Sequence, residues 1–196
     1  MSQTLHKYDP ERLCTYLQHH VAEFSGLAEI VKFSDGQSNP TYKLTDTAGR
    51  HFVLRAKPPG TLLKSAHAVD REFRVMTALA TTAVPVPQML HLSGEDSPLG
   101  AQFLVMEHLE GRVFWDPALP EQSPKFRQDA YHALVRTLAA LHDVDPQAVG
   151  LADFGKPGNY FSRQVSRWTG QYRACETQAR PDMDWAIDWL DRNMVQ

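Results

Sequence analysis

The stretch TYKLTDTAGRHFVLRA, residues 41–56, decides the fold. It holds two short runs rich in β-branched and aromatic residues, TYKLTD (41–46) and HFVLRA (51–56), on either side of a turn at Gly49. Such runs around a glycine turn are typical of an antiparallel hairpin. A similar run, EIVKF (29–33), comes before them. Together the three runs predict an antiparallel meander.

Helical patterns lie on both sides of this meander. Before it, Asp9 is suited to cap a first helical turn and Pro10 fits the first helical position. The stripe that follows consists of Leu13, Leu17 and Val21. After it, a second helix is expected beyond the break at residues 58–60. Its core stripe has spacings of four, three and four residues and consists of Val69, Phe73, Met76 and Ala80.

The second half of the chain changes in character. Two more short strands are predicted near residues 87–92 and 102–109. Beyond residue 120 the regular patterns are helical, over 125–142, over 162–175 and from 183 to the end. The first of these helices is expected to bury a side marked by Leu134, Leu138 and Leu141. A mostly β half followed by a helical half predicts an α+β, two-lobe architecture.

Composition limits the classes of partner. The 196 residues carry a net charge of −3 without a Lys/Arg cluster, which argues against nucleic acid as a partner. No apolar run approaches the roughly 18 residues of a membrane span, and the N-terminus lacks the pattern of a signal peptide. Cys14 and Cys175 are too far apart in sequence to suggest a disulfide framework or a cysteine metal site. We therefore expect a cytoplasmic protein without a membrane partner, whose oligomeric state stays open.

The stretch ADFGKPG (152–158) contains Asp153-Phe154-Gly155, the triplet that holds magnesium in protein kinases. A kinase catalytic loop also carries an Asn a few residues after its Asp, and none occurs between His142 and Gly150. Two interpretations are open, a magnesium site and a surface loop turned by its glycines. The missing neighbours favour the surface loop.

Several segments taken together resemble the aminoglycoside-phosphotransferase-like family, in the branch also found fused to acyl-CoA dehydrogenases. The resemblance runs from about residue 30 to the last residue, and it implies a protein-kinase-like fold. It divides the chain into a nucleotide-binding lobe, residues 1–107, and a connector with the start of a helical substrate lobe, residues 108–196. The segments that carry it are FSDGQSNPTYKL, FVLRAKPPGTLLKSAHAVDREFRVMTAL, VPVPQML, FLVMEHLEGRVF and DPQAVGLADFGKPGNYFSRQVSRWTGQY.

The resemblance also predicts where the chemistry lies. In this family the catalytic base and the magnesium ligands come from later HGDxxxxN and DW/DF motifs, and the chain contains no His-Gly-Asp. We therefore expect ATP as cofactor, Mg²⁺ ligands beyond this chain, and no catalytic or metal-binding residue within it. Asp153 then only resembles a magnesium ligand, and the 196 residues alone are expected to be inactive.

The loop between the first two strands is the first candidate for nucleotide binding. Gly36 can adopt a positive φ, and the N–H groups of Gln37, Ser38 and Asn39 can turn towards a phosphate. The loop matches neither the P-loop spacing nor G-x-G-x-x-G, so its local sequence alone favours a plain hairpin turn. The family resemblance favours a phosphate-covering loop.

Arg55 and Glu72 form the second candidate. FVLR (52–55) places Arg55 where the kinase pattern V-A-I-K has its phosphate-binding Lys, and Glu72 follows on the next helix as an acidic partner. The alternative is a surface ion pair of little energetic value, at most about 1 kcal/mol. Lys57 is a second candidate cation, but Pro58 follows it directly, so Arg55 is preferred.

The segment FLVMEHLEG (103–111) looks like the connector between the lobes, where Glu107, His108 and Leu109 would offer backbone groups to adenine. An ordinary strand end is equally compatible with these residues. We assign His142 a structural role, because a partial positive charge suits the C-terminal end of a helix.

The expected function is ATP-dependent phosphorylation of a hydroxyl group on a small molecule by a longer parent protein. The family's fusion partners point to hydroxylated acyl or acyl-CoA compounds as substrates. The alternative is a non-catalytic nucleotide-binding or protein-interaction module, which becomes the better interpretation if 196 residues are the whole protein. A weaker alternative is a defective gene product without function.

Overall fold

The computed structural model describes residues 8–33, 39–59, 67–94, 97–155 and 158–194. The chain divides into two compact units, Met1–Gly150 and Leu151–Gln196. The lobe boundary expected near residue 107 stays a prediction. In chain order the described elements are α1 (Pro10–His20), β1 (Leu27–Lys32), β2 (Thr41–Asp46), β3 (His51–Ala56), α2 (Val69–Leu79), β4 (Met89–Leu92), β5 (Phe103–Glu107), α3 (Pro124–His142), α4 (Tyr160–Cys175) and α5 (Pro181–Asn193).

The strands form one antiparallel sheet in the order β1-β2-β3-β5-β4. β2 and β3 have the predicted bounds, and their register pairs Thr41 with Arg55. β5 pairs with β3 on its other side, so that Leu104 lies opposite Arg55. The predicted meander is therefore confirmed, and β3, which carries Arg55, is the central strand.

The helix α1 covers one face of this sheet. As predicted, Asp9 caps the helix and accepts hydrogen bonds from the N–H groups of Glu11 and Arg12. The stripe of Leu13, Leu17 and Val21 is buried, as the spacing predicted. These side chains form a core with every second residue of the central strands: Tyr42, Leu44, Phe52, Leu54, Phe103 and Val105.

Asp46 anchors the turn between β2 and β3. Its fully buried carboxylate accepts hydrogen bonds from the N–H of Ala48, from the N–H and Nε of Arg50 and from the hydroxyl of Ser25. Burial alone would raise the pKa of Asp46, but the hydrogen bonds from Arg50 and Ser25 outweigh it and lower the pKa to about 2. The ionised carboxylate is thus part of the folded turn.

The helix α2 lies beside β4 and β5. Val69 and Leu79 are its buried residues, while Phe73 and Met76 are partly buried. The expectation of a core position at Ala80 is wrong, because the helix ends at Leu79 and Ala80 is its exposed C-cap. Leu79 takes that place in the core.

The expected buried side of α3 is also wrong. Leu134, Leu138 and Leu141 are exposed to 62%, 49% and 43%. Their spacing shows that they share a helix face, but it does not tell whether another element packs on that face. In the described part of the chain this face is open to solvent.

The second unit consists of a turn region followed by α4 and α5, which contact each other. Arg173 on α4 bonds Glu176 and also Asp184 on α5. Large apolar side chains remain exposed on both helices, among them Trp168, Trp185 and Trp189. No helix in the described ranges of either unit combines the length and the apolar character needed to cross a membrane.

Candidate functional site

Arg55 and Glu72 meet on the face of the sheet opposite α1. Side chains alternate along β3, so Phe52, Leu54 and Ala56 enter the core while His51, Val53 and Arg55 point to the other face. Arg55 Nε lies 2.7 Å from Glu72 Oε2 on the first turn of α2, and Nη2 lies 3.5 Å from Oε1. The side chains are 29% and 34% exposed, so a ligand can still reach the guanidinium.

Three more residues complete a group that we call the Arg55 cluster: Asn39, Thr41, Arg55, His67 and Glu72. Thr41 Oγ1 accepts a hydrogen bond from Arg55 Nη1 at 3.0 Å and donates one to Asn39 O at 3.1 Å. Asn39 Nδ2 donates to Glu72 Oε1 at 3.2 Å, and His67 Nδ1 lies 2.7 Å from Asn39 Oδ1. The cluster thus joins β3, α2 and the segment that enters β2.

Lys57, the other candidate cation, lies outside this cluster. Its Nζ is 3.7 Å from Asp70 Oδ1, while its backbone N–H bonds Gln102 O. Pro58 follows, and β3 has already ended at Ala56. The geometry therefore agrees with the preference for Arg55, although the role of either residue in binding stays a prediction.

A cleft of about 750 Å³ opens on the same face of the sheet. Its walls are Phe33, Val53 and the chain from His108 to Val113. Because Val53 precedes Arg55 by two residues on β3, their Cα atoms are about 7 Å apart and both side chains point the same way. An apolar wall and a cation thus lie next to each other. This arrangement suits a ligand that has a flat apolar part for the wall and an anionic part for the cation.

The predicted connector contributes unequally to this cleft. His108 and Leu109 line it, whereas the N–H of Glu107 donates to Gln88 O and the Glu107 carboxylate accepts from the N–H of Gln88. The Glu107 N–H is therefore occupied within the sheet. The His108 ring also contacts the His51 ring edge to face, with 5.6 Å between their centroids.

The expected phosphate loop is described only at its end. Gly36, Gln37 and Ser38 lie outside the described residues. Asn39 is described, and it was predicted to offer its backbone N–H to a phosphate. That role stays a prediction. The Asn39 side chain bonds both Glu72 and His67, and the residue is only 3% exposed.

Sequence reasoning missed several residues of the site. Val53 had a usable signal, because strand alternation places it on the face that carries Arg55. Phe33 and Thr41 were noted only as parts of strands, and their place beside the cleft and the Arg55 cluster depends on tertiary packing. His67 has no local signal at all, since its contact with Asn39 joins residues 28 positions apart.

Asp153 lies in an exposed turn of the second unit. Among the described residues, no three His, Cys, Asp or Glu side chains are grouped so that they could hold a metal ion. His142 is the last residue of α3, and its role at this helix end stays a prediction.

Comparisons with known proteins give the family and the fold of the chain. Residues 29–196 match the family described as "Phosphotransferase enzyme family". A solved structure assigned as an aminoglycoside phosphotransferase from Ralstonia eutropha is 46% identical, has a TM-score of 0.76, and is matched over 97% of this chain and 55% of its own. This likeness confirms the predicted α+β, kinase-like fold.

Two curated relatives are acyl-CoA dehydrogenase family members. Family member 10 of Mus musculus is 49% identical over 85% of this chain and 15% of its own length. Family member 11 of Rattus norvegicus is 42% identical over 96% of this chain and 25% of its own length. The chain thus spans a quarter or less of these two relatives.

Proposed function

Because the chain belongs to the phosphotransferase enzyme family, we propose that it provides the ATP-binding part of a kinase for a hydroxyl group on a small molecule. The observation that carries this proposal is the Arg55–Glu72 ion pair beside the cleft that Val53 and the connector line. A cation held in place next to an apolar slot suits a nucleoside triphosphate, which has an aromatic base at one end and phosphates at the other.

The described residues fit such a ligand in chemical type. Phe33 and Val53 offer apolar surface to the base, and the backbone of His108 and Leu109 lies where it can supply polar groups. Arg55 offers a guanidinium, which pairs with phosphate oxygens in a bidentate manner. ATP supplies the phosphoryl group when bound, and these residues orient it, because positioning and charge neutralisation dominate phosphoryl transfer.

Glu72 gives Arg55 a fixed direction. An unpaired arginine side chain samples many rotamers, and ordering it upon binding costs conformational entropy. The two contacts to Glu72 and the contact to Thr41 reduce that cost before a ligand arrives. Partial exposure of both side chains leaves the remaining donors of Arg55 accessible to a phosphate.

The acceptor hydroxyl needs a base, and the sequence contains no His-Gly-Asp motif of the kind that supplies one in this family. The described residues do not offer a group of metal ligands either. We therefore assign the base and the magnesium ligands to residues other than these 196.

The acceptor that we propose is a hydroxylated acyl compound. Support comes from the names of the two mammalian relatives, both acyl-CoA dehydrogenase family members. The second candidate is a nucleotide-binding or protein-interaction module without catalysis, which the missing His-Gly-Asp motif favours for the 196 residues by themselves.

Two measurements separate these functions. Calorimetric titration of the chain with ATP should give saturable binding, and the absence of any heat of binding would overturn the nucleotide site. Phosphorus NMR of ATP with a hydroxyacyl acceptor should show turnover by a protein that contains these residues together with the family's His-Gly-Asp motif. Binding without turnover by that longer protein would favour the non-catalytic module.

A further inference from the structure

We propose that Asn39 and His67 are positioning residues, which hold Glu72 against Arg55 and so orient the Arg55 guanidinium towards nucleotide phosphates. This inference rests on the proposed function. Neither side chain contacts Arg55 in the described hydrogen bonds. Both act through Glu72, to which Asn39 donates at 3.2 Å while His67 bonds the other end of the Asn39 amide at 2.7 Å.

The direction of every hydrogen bond in this chain of contacts is fixed by chemistry. Glu72 pairs with Arg55 and is therefore an ionised acceptor, so the group of Asn39 that faces it must be the amide nitrogen. The amide oxygen then faces His67, and the His67 ring must donate from Nδ1. Reversing the amide would place its oxygen against the Glu72 carboxylate. Both groups are acceptors, so no hydrogen bond could form between them.

Asn39 is the point at which two routes to Arg55 meet. Its side chain bonds Glu72, which pairs with Arg55, and its carbonyl accepts from Thr41, whose hydroxyl accepts from Arg55. Asn39 is also 3% exposed, so its amide has little access to solvent as a substitute partner. A change at Asn39 is therefore expected to alter the position of both members of the ion pair.

His67 adopts a backbone conformation that suits only a few residue types. Its φ is 59°, in the left-handed region that glycine and asparagine tolerate best. It stands two residues before α2, the helix that carries Glu72, and Val69 N–H bonds its carbonyl. Holding a histidine in this conformation places its Nδ1 donor at the Asn39 oxygen.

Two substitutions at His67 separate the donor from the backbone. His67→Gly accepts the positive φ but removes the donor, whereas His67→Asn accepts it and keeps an amide donor near the place of Nδ1. We expect His67→Gly to weaken ATP binding about fivefold, the value of one hydrogen bond, and His67→Asn to stay within about twofold. Adenosine affinity should not change, because adenosine has no phosphates for Arg55. His132→Asn, at an exposed position on α3, is the control.

A double-mutant cycle tests whether His67 acts through Glu72. In a Glu72→Ala background, His67→Gly should add less than about twofold to the loss of ATP affinity, because the route to Arg55 is already broken. An additive loss, or an equal loss for ATP and adenosine, would overturn the proposal and indicate a general structural role.

A nucleotide-free readout distinguishes this inference from the proposed function. Heteronuclear NMR can follow the exchange of the Arg55 Nε–H with water, with the signal assigned by its loss in Arg55→Lys. Exchange should accelerate in His67→Gly and not in His67→Asn or His132→Asn. Unchanged exchange in His67→Gly would overturn the positioning role. If the unaltered chain fails to bind ATP while this exchange responds as expected, the ATP site is wrong and the positioning of Arg55 by His67 stands.

Discussion

Arg55 and Glu72 stand 17 residues apart in the sequence, and their side chains meet at 2.7 Å between Nε and Oε2. Lys57, two residues from Arg55, instead faces Asp70 at 3.7 Å. The chain therefore holds two neighbouring cations with different partners, and Arg55 lies on β3 two residues from Val53 of the cleft. This difference allows a matched comparison.

The first prediction concerns these two cations. Replacing Arg55 with Ala should lower ATP affinity by about tenfold or more, because charge-assisted hydrogen bonds to phosphate are lost. Replacing Lys57 with Ala should change the ATP affinity by less than about threefold, because its 3.7 Å contact with the half-exposed Asp70 is a weak surface ion pair. Calorimetric titration of both variants measures the two affinities. Equal losses would refute the assignment of Arg55 to the phosphates.

The second prediction concerns the buried Asp46 carboxylate. Asp46→Asn replaces a carboxylate that accepts several buried hydrogen bonds with an amide, which has one oxygen fewer to accept them. The substitution should lower the free energy of unfolding by about 1–3 kcal/mol. The exposed pair of Asp129 and Lys125 has the same spacing of four residues as Asp46 and Arg50. Asp129→Asn is therefore the control, and chemical denaturation should show a change of less than about 1 kcal/mol.

Asp46 also makes stability depend on pH in a defined direction. Its pKa is lowered from 3.8 to about 2 in the folded protein, so the unfolded chain binds a proton first as the pH falls. The contribution of Asp46 to stability is present above pH 3.8 and is lost as the pH falls towards about 2. Chemical denaturation between these pH values measures the free energy of unfolding. It should change less with pH in Asp46→Asn than in the unaltered chain. Parallel profiles would contradict the lowered pKa.

The third prediction tests the start of α1. Asp9→Ala removes the side chain that accepts from the N–H groups of Glu11 and Arg12, and should destabilise the fold by about 1 kcal/mol. Asp9→Ser keeps a capping oxygen and should recover most of that loss. Denaturant titrations of the two variants decide it. A serine variant as unstable as the alanine variant would argue against capping.

The sequence was informative where local rules decide the structure. Strand alternation around Gly49 predicted β2 and β3 to the residue, and the position of Arg55 on β3 followed from it. Asp9 and Pro10 likewise predicted the start of α1. Each of these features depends on neighbours within a few residues.

Features that depend on distant neighbours were not predictable in the same way. Leu134, Leu138 and Leu141 have the spacing of a core stripe, yet periodicity identifies a common face and not its partner. His67 reaches Asn39 only because α2 and the start of β2 come together in the folded chain. The cleft beside Val53 arises from three separate segments, so no single motif reveals it.

The fourth prediction concerns Asp153. It lies in an exposed turn, and His142 and Asp145 upstream are not followed by the Asn of a kinase loop. In a catalytically competent protein that contains these residues, Asp153→Asn should leave the magnesium concentration for half-maximal rate unchanged within about twofold. A steady-state magnesium titration measures this value. A large increase would place the metal at Asp153 after all.

The last prediction concerns the apolar surface of the second unit. Trp168 on α4 and Trp185 on α5 are 63% and 67% exposed, and an apolar cavity of about 230 Å³ lies between the two helices. Exposed aromatic side chains favour association in water, because burying them removes apolar surface from solvent. The 196-residue chain should therefore self-associate with rising concentration in light scattering. Replacing both tryptophans with Gln should shift the chain towards the monomer, whereas His132→Asn, at an exposed polar position on α3 in the first unit, should not. A chain that stays monodisperse and monomeric at every concentration would show that this surface does not drive association.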